Sequence, residues 1–205
     1  MVHSKSFRRA LRATSLLALL GYSVPGNAST EEGATKKALL IDDFSSGVSA
    51  LGTQWEGFTD RVMGGKSTMS SGREFADGMP VMAMRGDVSL KNNGGFIQVR
   101  LMLNPEERAF DASRFTGLSL KVKGTGDSYY VFLRTTANRL PWSFFKAPLP
   151  VSRAWTEVFL PWSAFQKGDF GSLFGFDPRK IVSLAVVAYK KEFTADLYVA
   201  EVNFY

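Results

Sequence analysis

The sequence contains no cysteine, and its single histidine, His3, stands at the extreme N-terminus. Without cysteine there is no disulfide framework, no thiol nucleophile and no thiolate ligand for zinc. Without a histidine in the body of the chain there is no Ser-His or Cys-His relay. Carboxylates, lysines, tyrosines, serines and threonines are what remains for catalysis. Long apolar runs are missing too. Ala13 to Val24 spans 12 residues, short of the roughly 20 that cross a membrane as a helix.

What surrounds that run reads as a secretory leader. Lys5, Arg8, Arg9 and Arg12 precede it, and Gly26-Asn27-Ala28 follows with small residues that suit cleavage after Ala28. The expected organisation is a signal peptide over residues 1-28 and one domain over residues 29-205, periplasmic or secreted. No cysteine is there to take a lipid, so a lipoprotein is excluded. The four basic leader residues have no acidic counterpart. Without them lysine plus arginine falls from 25 to 21 against 19 acids, a net charge of +2. Such a balance gives no support to nucleic-acid or anionic-membrane binding, which needs a concentrated basic face. Without disulfides the fold must rest on its hydrophobic core, and hydrophobic residues make up 45% of the chain.

Short β-prone runs recur between Gly, Pro, Asn and Asp, and no long segment has helical periodicity. Lys37 to Phe44 reads as a first strand. In Gly95 to Leu103, Ile97, Val99, Leu101 and Leu103 share one face, with Phe96, Gln98, Arg100 and Met102 on the other. Leu118, Leu120 and Val122 alternate with polar residues in the same way. Tyr129, Val131 and Leu133 give a core face opposite Tyr130, Phe132 and Arg134. Ile181 to Tyr189 is apolar on both faces and reads as a central strand covered on both sides. Asp196 to Tyr205 is expected to close the sheet at the C-terminus. Asn104 to Ser113 and Gly168 to Pro178 read as loops. The pattern is that of an all-β sandwich.

Two segments set polar side chains directly before a glycine pair: Asp60-Arg61-Val62-Met63-Gly64-Gly65-Lys66-Ser67 and Asn92-Asn93-Gly94-Gly95-Phe96. With Trp55, Val99-Arg100, Trp155-Thr156-Glu157-Val158, Leu160-Pro161-Trp162 and Phe165, they make the chain resemble the complex I intermediate-associated protein 30 family from about Leu40 to Phe204. The resemblance implies a galactose-binding-domain-like jelly-roll β-sandwich, in agreement with the strand pattern. It also implies a non-catalytic binding or assembly role. That family is known from mitochondrial assembly of respiratory complex I and from many bacterial proteins. A secretory leader sets this chain apart, so its protein partner is expected in the cell envelope.

Several residues are candidates for contact with a ligand or partner. Asp60 and Arg61 could hold a sugar or peptide through hydrogen bonds. Alternatively, and as turn chemistry favours, they tie loops together while Gly64-Gly65 turns the chain. Asn93 stands in the second glycine segment, where an Asn-Gly step is a hairpin signal. Arg100, if buried, needs an anionic partner. Asp60 or Asp87 is expected to supply it and so to join the two segments. Tyr130, Phe132 and Arg134, with Trp142, Phe144, Phe145, Gln98 and Arg100, could form a platform on which sugar rings stack. The competing reading is ordinary core with some exposed aromatics, which the general role of aromatics favours. Trp155 and Trp162 flank Pro161 and read as structural, buried against the loop that follows. No spacing selects a carboxylate pair for glycoside hydrolysis among Asp42, Asp43, Asp60, Asp87, Asp111, Asp127 and Glu157. Calcium at Asp42 and Asp43 has only a weak signal, without an Asp-rich loop. The expectation is a monomeric, non-catalytic binding domain without cofactor or metal that acts on a protein partner in the cell envelope. The alternative is a carbohydrate-binding module that recognises an envelope glycan.

Overall fold

The computed structural model describes residues 38–140, 142–168 and 174–205; the expected leader and its cleavage point lie outside them. Along the described residues twelve strands alternate with turns. The first six are β1 (Leu39–Asp42), β2 (Trp55–Thr59), β3 (Thr68–Ala76), β4 (Met79–Val88), β5 (Phe96–Met102) and β6 (Gly117–Thr125). There follow β7 (Tyr129–Thr135), β8 (Phe145–Pro148), β9 (Thr156–Pro161), β10 (Gln166–Lys167), β11 (Ile181–Tyr189) and β12 (Phe193–Phe204). They build two six-stranded antiparallel sheets packed as a galactose-binding-like jelly-roll sandwich. The first sheet has the order β3-β4-β12-β6-β9 with β1 also on β12, and the second β10-β8-β7-β11-β5-β2.

The alternation read in β5 and β7 decides which side chains enter the sandwich. Ile97, Val99, Leu101, Val131 and Leu133 are buried between the sheets with Leu184 and Val186 of β11. From the other sheet come Leu118, Leu120, Val122, Leu197, Val199 and Phe204. Truncating Ile97 or one of these leucines to alanine costs about 2–5 kcal/mol. β11 is apolar on both faces because both are covered. Ala185, Val187 and Tyr189 turn outward and pack with Phe132 and Phe144 in a second, smaller cluster.

Two expectations are corrected. β12 does not close the sheet but lies in its middle, with β6 on one edge. Along its other edge β4 pairs with Phe193 to Val199 and β1 takes over at Val202 to Phe204. A strand of 12 residues is long enough to serve all three neighbours. The Asn92–Gly95 segment is not a hairpin, because β4 and β5 belong to different sheets. Asn92 and Asn93 both take left-handed φ, 58° and 57°, and turn the chain from one sheet into the other. The tight hairpin lies elsewhere. Asp77 and Gly78, with φ of 50° and 78°, join β3 to β4, the Asp-Gly pattern of a type I′ turn.

Where β6 passes into β7, the Tyr129 hydroxyl donates to the Thr125 carbonyl at 2.6 Å and accepts from the Asp196 amide at 3.0 Å. Burial pushes this phenol up to about 12, against the opposing pull of the Asp196 amide. Its folded pKa thus lies above the ordinary value of 10.0. Its stabilising contribution is complete below that value and is lost as pH rises through about 12. Tyr129→Phe should lose about 1–3 kcal/mol at neutral pH through two unmade hydrogen bonds. Urea denaturation over the alkaline range should show a flatter decline for the variant than for the wild type; parallel declines would exclude Tyr129 as the alkaline group.

Candidate functional site

The two glycine segments meet at one side chain. Asp60 opens a 3-10 turn, Asp60–Met63, directly after β2, and its residue has no solvent exposure. One carboxylate oxygen accepts from the Ser67 amide at 2.9 Å. The other accepts from the Ser67 hydroxyl at 2.5 Å, the Gly95 amide at 2.6 Å and, more distantly, the Phe96 amide at 3.4 Å. Ser67 Oγ in turn accepts from the Ser89 amide at 2.9 Å, and Asn92 Nδ2 donates to the Gly64 carbonyl at 3.2 Å. Burial alone would raise the Asp60 carboxyl, yet the Ser67 hydroxyl and the amides of Gly95, Ser67 and Phe96 hold it below its ordinary value. Gly64 supplies the left-handed turn, φ 88°. Gly65 and Gly94 serve differently: a Cβ on either would lie inside van der Waals distance of the Asp60 carboxylate.

This corrects the expected Asp60–Arg100 pair. The segments are joined by Asp60, but to hydroxyl and amide donors rather than to a guanidinium. Arg100 meets Glu56 instead, at 3.5 Å, and lies over the Phe58 ring, 4.4 Å from its centroid. Asp87 accepts from the Thr194 hydroxyl.

Beside this junction a cleft of about 420 Å³ opens on the outer face of the second sheet. Its floor is β5, β11 and β7, where Phe96, Gln98 and Arg100, then Ser183 and Ala185, then Phe132 and Arg134 point outward. In register, Arg100 faces Ala185, which faces Phe132, while Ser183 faces Arg134. The small side chains of the central strand make the depression, and the larger ones of its neighbours make the walls. Phe132 and Phe144 stack on one another at 3.9 Å, with Tyr189 edge-on to both. Val62, Met63 and Asn93 form one rim, and Trp142 stands on another.

Of the residues singled out from sequence, Asn93, Arg100, Arg134 and Trp142 therefore come together in this cleft. Tyr130 sits next to it, half-buried, with Tyr189 edge-on at 6.1 Å and Lys146 over its ring at 5.7 Å. Arg61 is exposed on the turn and does not line the cleft, and Asp60 lies beneath the rim as its anchor. Phe145 faces the core at 1% exposure, opposite to Phe144. Trp162 is structural, its indole N–H donating to the Phe115 carbonyl and its ring among Phe165, Phe176 and Phe204. Trp155 lies away from that loop and donates to Asp77. Phe58, Val62, Met63, Ser183 and Tyr189 also line the cleft but were not among the contact residues expected from sequence. The outward Ser183 and Ala185 on an otherwise bulky strand were the available signal.

The acids weighed for hydrolysis are scattered. Asp127 pairs with Lys191, and Asp111 accepts from the Ser113 amide. Glu157 lies with Glu201 at a depression of about 280 Å³ lined by strands of the first sheet. Asp42 holds the Phe44 amide and the Trp55 indole, and Asp43 holds Ser45. Among the described residues no three His, Cys, Asp or Glu side chains gather as a metal site. No helix among them is long and apolar enough to cross a membrane.

Solved carbohydrate-binding modules superpose on this two-sheet sandwich. The family 11 module of the cellulosomal cellulase Lic26A-Cel5E of Clostridium thermocellum does so with a TM-score of 0.65 at 13% identity, covering 82% of this chain and 94% of the module. A family 11 module from Clostridium thermocellum in complex with a β-1,3-1,4-mixed-linked tetrasaccharide gives 0.64 at 14% identity, covering 82% and 94%. The family 30 module of the cellulase Cel9D-Cel44B of Clostridium thermocellum gives 0.58 at 14% identity, covering 82% and 97%. At these identities the likeness is one of fold. A search of curated protein sequences gives no match. The family model for complex I intermediate-associated protein 30 (CIA30) matches residues 43–197, and the chain belongs to that family.

Because the folded Asp60 carboxyl is held below its ordinary 3.8, its contribution is present above that pH and is lost as pH falls through the lower folded value. Asp60→Asn puts an NH2 group among donors and should destabilise by about 2–4 kcal/mol at neutral pH. Denaturation from pH 7 into the acid range should show a smaller loss of stability for the variant. Equal stability at pH 7 would refute the anchoring role.

Proposed function

We propose that the chain is a non-catalytic binding domain that acts, after removal of the leader over residues 1-28, on a protein partner in the cell envelope. The contact is made through the cleft on the outer face of the second sheet. One observation carries this reading: a formed cleft has a lining in which aromatic and aliphatic side chains predominate and a rim on which Val62, Met63 and Trp142 are 72%, 55% and 44% exposed. Apolar side chains grouped around a concavity lose water contact only when something covers them, which is how contact sites differ from scattered surface residues. Membership in a family named for association with complex I intermediates supports a protein as the partner. Asn93, Arg100, Arg134 and Trp142 are the contact residues, with Tyr130 and Arg61 at the margin and Asp60 fixing the rim.

A second reading, a glycan ligand, has its own support. The exposed Trp142 ring lines the same cleft as Gln98, Asn93 and Ser183, a combination of stacking surface and hydrogen-bonding groups that suits a sugar. The fold is shared with modules of which one was solved with a bound tetrasaccharide.

Affinity capture from an envelope fraction should recover a specific protein with the wild type and not with Met63→Asp, a substitution at an exposed position that should leave stability within about 0.5 kcal/mol. A glycan array that gives binding abolished by Trp142→Ala, with no protein captured, would replace the first reading with the second.

A further inference from the structure

The cleft carries a charge pattern that an apolar contact does not require. Arg100 of β5 and Arg134 of β7 rise on either side of β11, with only Ala185 and Ser183 between them. Lys190, 5.5 Å from the Tyr189 ring centroid, adds a third cation to the lining, and among the described residues no carboxylate lines the cleft. The acid that meets Arg100 is Glu56 on the edge strand β2, at 3.5 Å and 61% exposed, a pair of small value in solvent; Asp60, beneath the rim, is buried and its oxygens are taken up by Ser67, Gly95 and Phe96. Arg100 Nε is buried and has no hydrogen-bond partner. Arg134 Nη2 donates to the carbonyls of Asn138 and Leu140 at 3.0 and 2.9 Å. Burial, and then the charge of Arg100, disfavour its protonated form. Two guanidinium groups in one mostly apolar depression with no acid in its described lining form an arrangement that an anion completes.

We propose that the cleft takes a carboxylate-bearing peptide segment, its acid held by Arg100 and Arg134 and an adjoining apolar side chain laid against Phe132, Phe144 and Trp142. The proposal rests on the protein-binding reading above and names the chemistry of the segment bound. A peptide is preferred to an acidic sugar because Phe132, Phe144, Ala185, Val62 and Met63 are apolar and can cover an aliphatic or aromatic side chain, which a sugar acid lacks.

Calorimetric titration of the whole domain decides it with four probes: an acetylated Leu-Asp-Phe amide, its Leu-Asn-Phe counterpart, a galacturonate trimer and a neutral mixed-linked glucan tetrasaccharide. The Asp peptide should bind about tenfold or more tightly than the Asn peptide, with the advantage shrinking as salt is raised. Arg100→Gln and Arg134→Gln should each erase that advantage. Arg134 also holds the turn after β7, so Arg100→Gln is the cleaner variant, and the wild-type comparison of the two peptides depends on neither. Equal binding of the two peptides overturns the carboxylate inference and leaves the protein-binding reading standing. Binding of either sugar with neither peptide overturns both. Silence with all four probes overturns the carboxylate inference alone, since envelope capture tests the broader reading independently.

Discussion

Removing a carboxylate from water costs several kcal/mol unless its lone pairs are met, and Asp60 has none of its surface in water. Its oxygens are met by the Ser67 amide and hydroxyl and by the amides of Gly95 and Phe96. Those donors belong to the segment leading into β3 and to the start of β5, so one charge fixes the end of β2 against two other stretches of chain. Ser67 extends the junction to the end of β4 by accepting from Ser89. The glycines follow from this charge. Gly65 and Gly94 leave room for the carboxylate, and Gly64 turns the chain so that Ser67 can return to it. An added methyl group at either packing position would push the acid off its donors and leave it buried and unpaired.

The same junction shapes the surface. Val62 and Met63 lie on the 3-10 turn that Asp60 begins, and Asn93 and Gly95 lie on the segment whose amide Asp60 holds. All four line the cleft. A buried charge therefore sets the height and spacing of one rim, while the opposite wall, Phe132 and Phe144, is held by aromatic stacking. Preorganisation of this kind lowers the entropy lost when a partner binds. Of the residues that mark the family, Asp60 and Ser67 thus lie beneath the candidate contact surface, while Met63, Asn93 and Arg100 line it.

The strands were legible because alternation with period two is a local property: β5, β7 and the two-faced character of β11 could be read from side chains alone. The junction was legible only in outline. Gly-Gly pairs announce turns, but nothing local says that Asp60 would bond amides 35 residues away rather than Arg100. Arg100 went to the Phe58 ring and Glu56 because β2 pairs with β5 at that register, a long-range fact. The central place of β12 was hidden for a similar reason, since strand order depends on pairings that the C-terminal segment alone does not encode. The cleft was half legible. Tyr130, Phe132 and Arg134 were seen as a face, whereas its depth comes from Ser183 and Ala185 on the neighbouring strand.

The two outer faces of the sandwich differ in how their charges are answered. On the first sheet Arg85 bonds Glu74, Asp196 and Tyr198, and Lys123 and Trp155 both bond Asp77. Arg85 and Lys123 find anions within the chain there, while Arg73 bonds the Phe44 carbonyl. On the second sheet Arg100 and Arg134 share a concavity whose described lining holds no acid, and their nearest common surroundings are aromatic rings and small side chains. Like charges held together in such surroundings raise the free energy of the unoccupied state. Any ligand that supplies the missing charge recovers that cost, and folding and binding become linked through it. Arg85 is met by two carboxylates, whereas Arg100 has one exposed acid at 3.5 Å and Arg134 two backbone carbonyls. That both face an open cleft, beside a rim fixed by the fully buried Asp60 carboxylate, is the physical reason for proposing the contact surface on the second sheet.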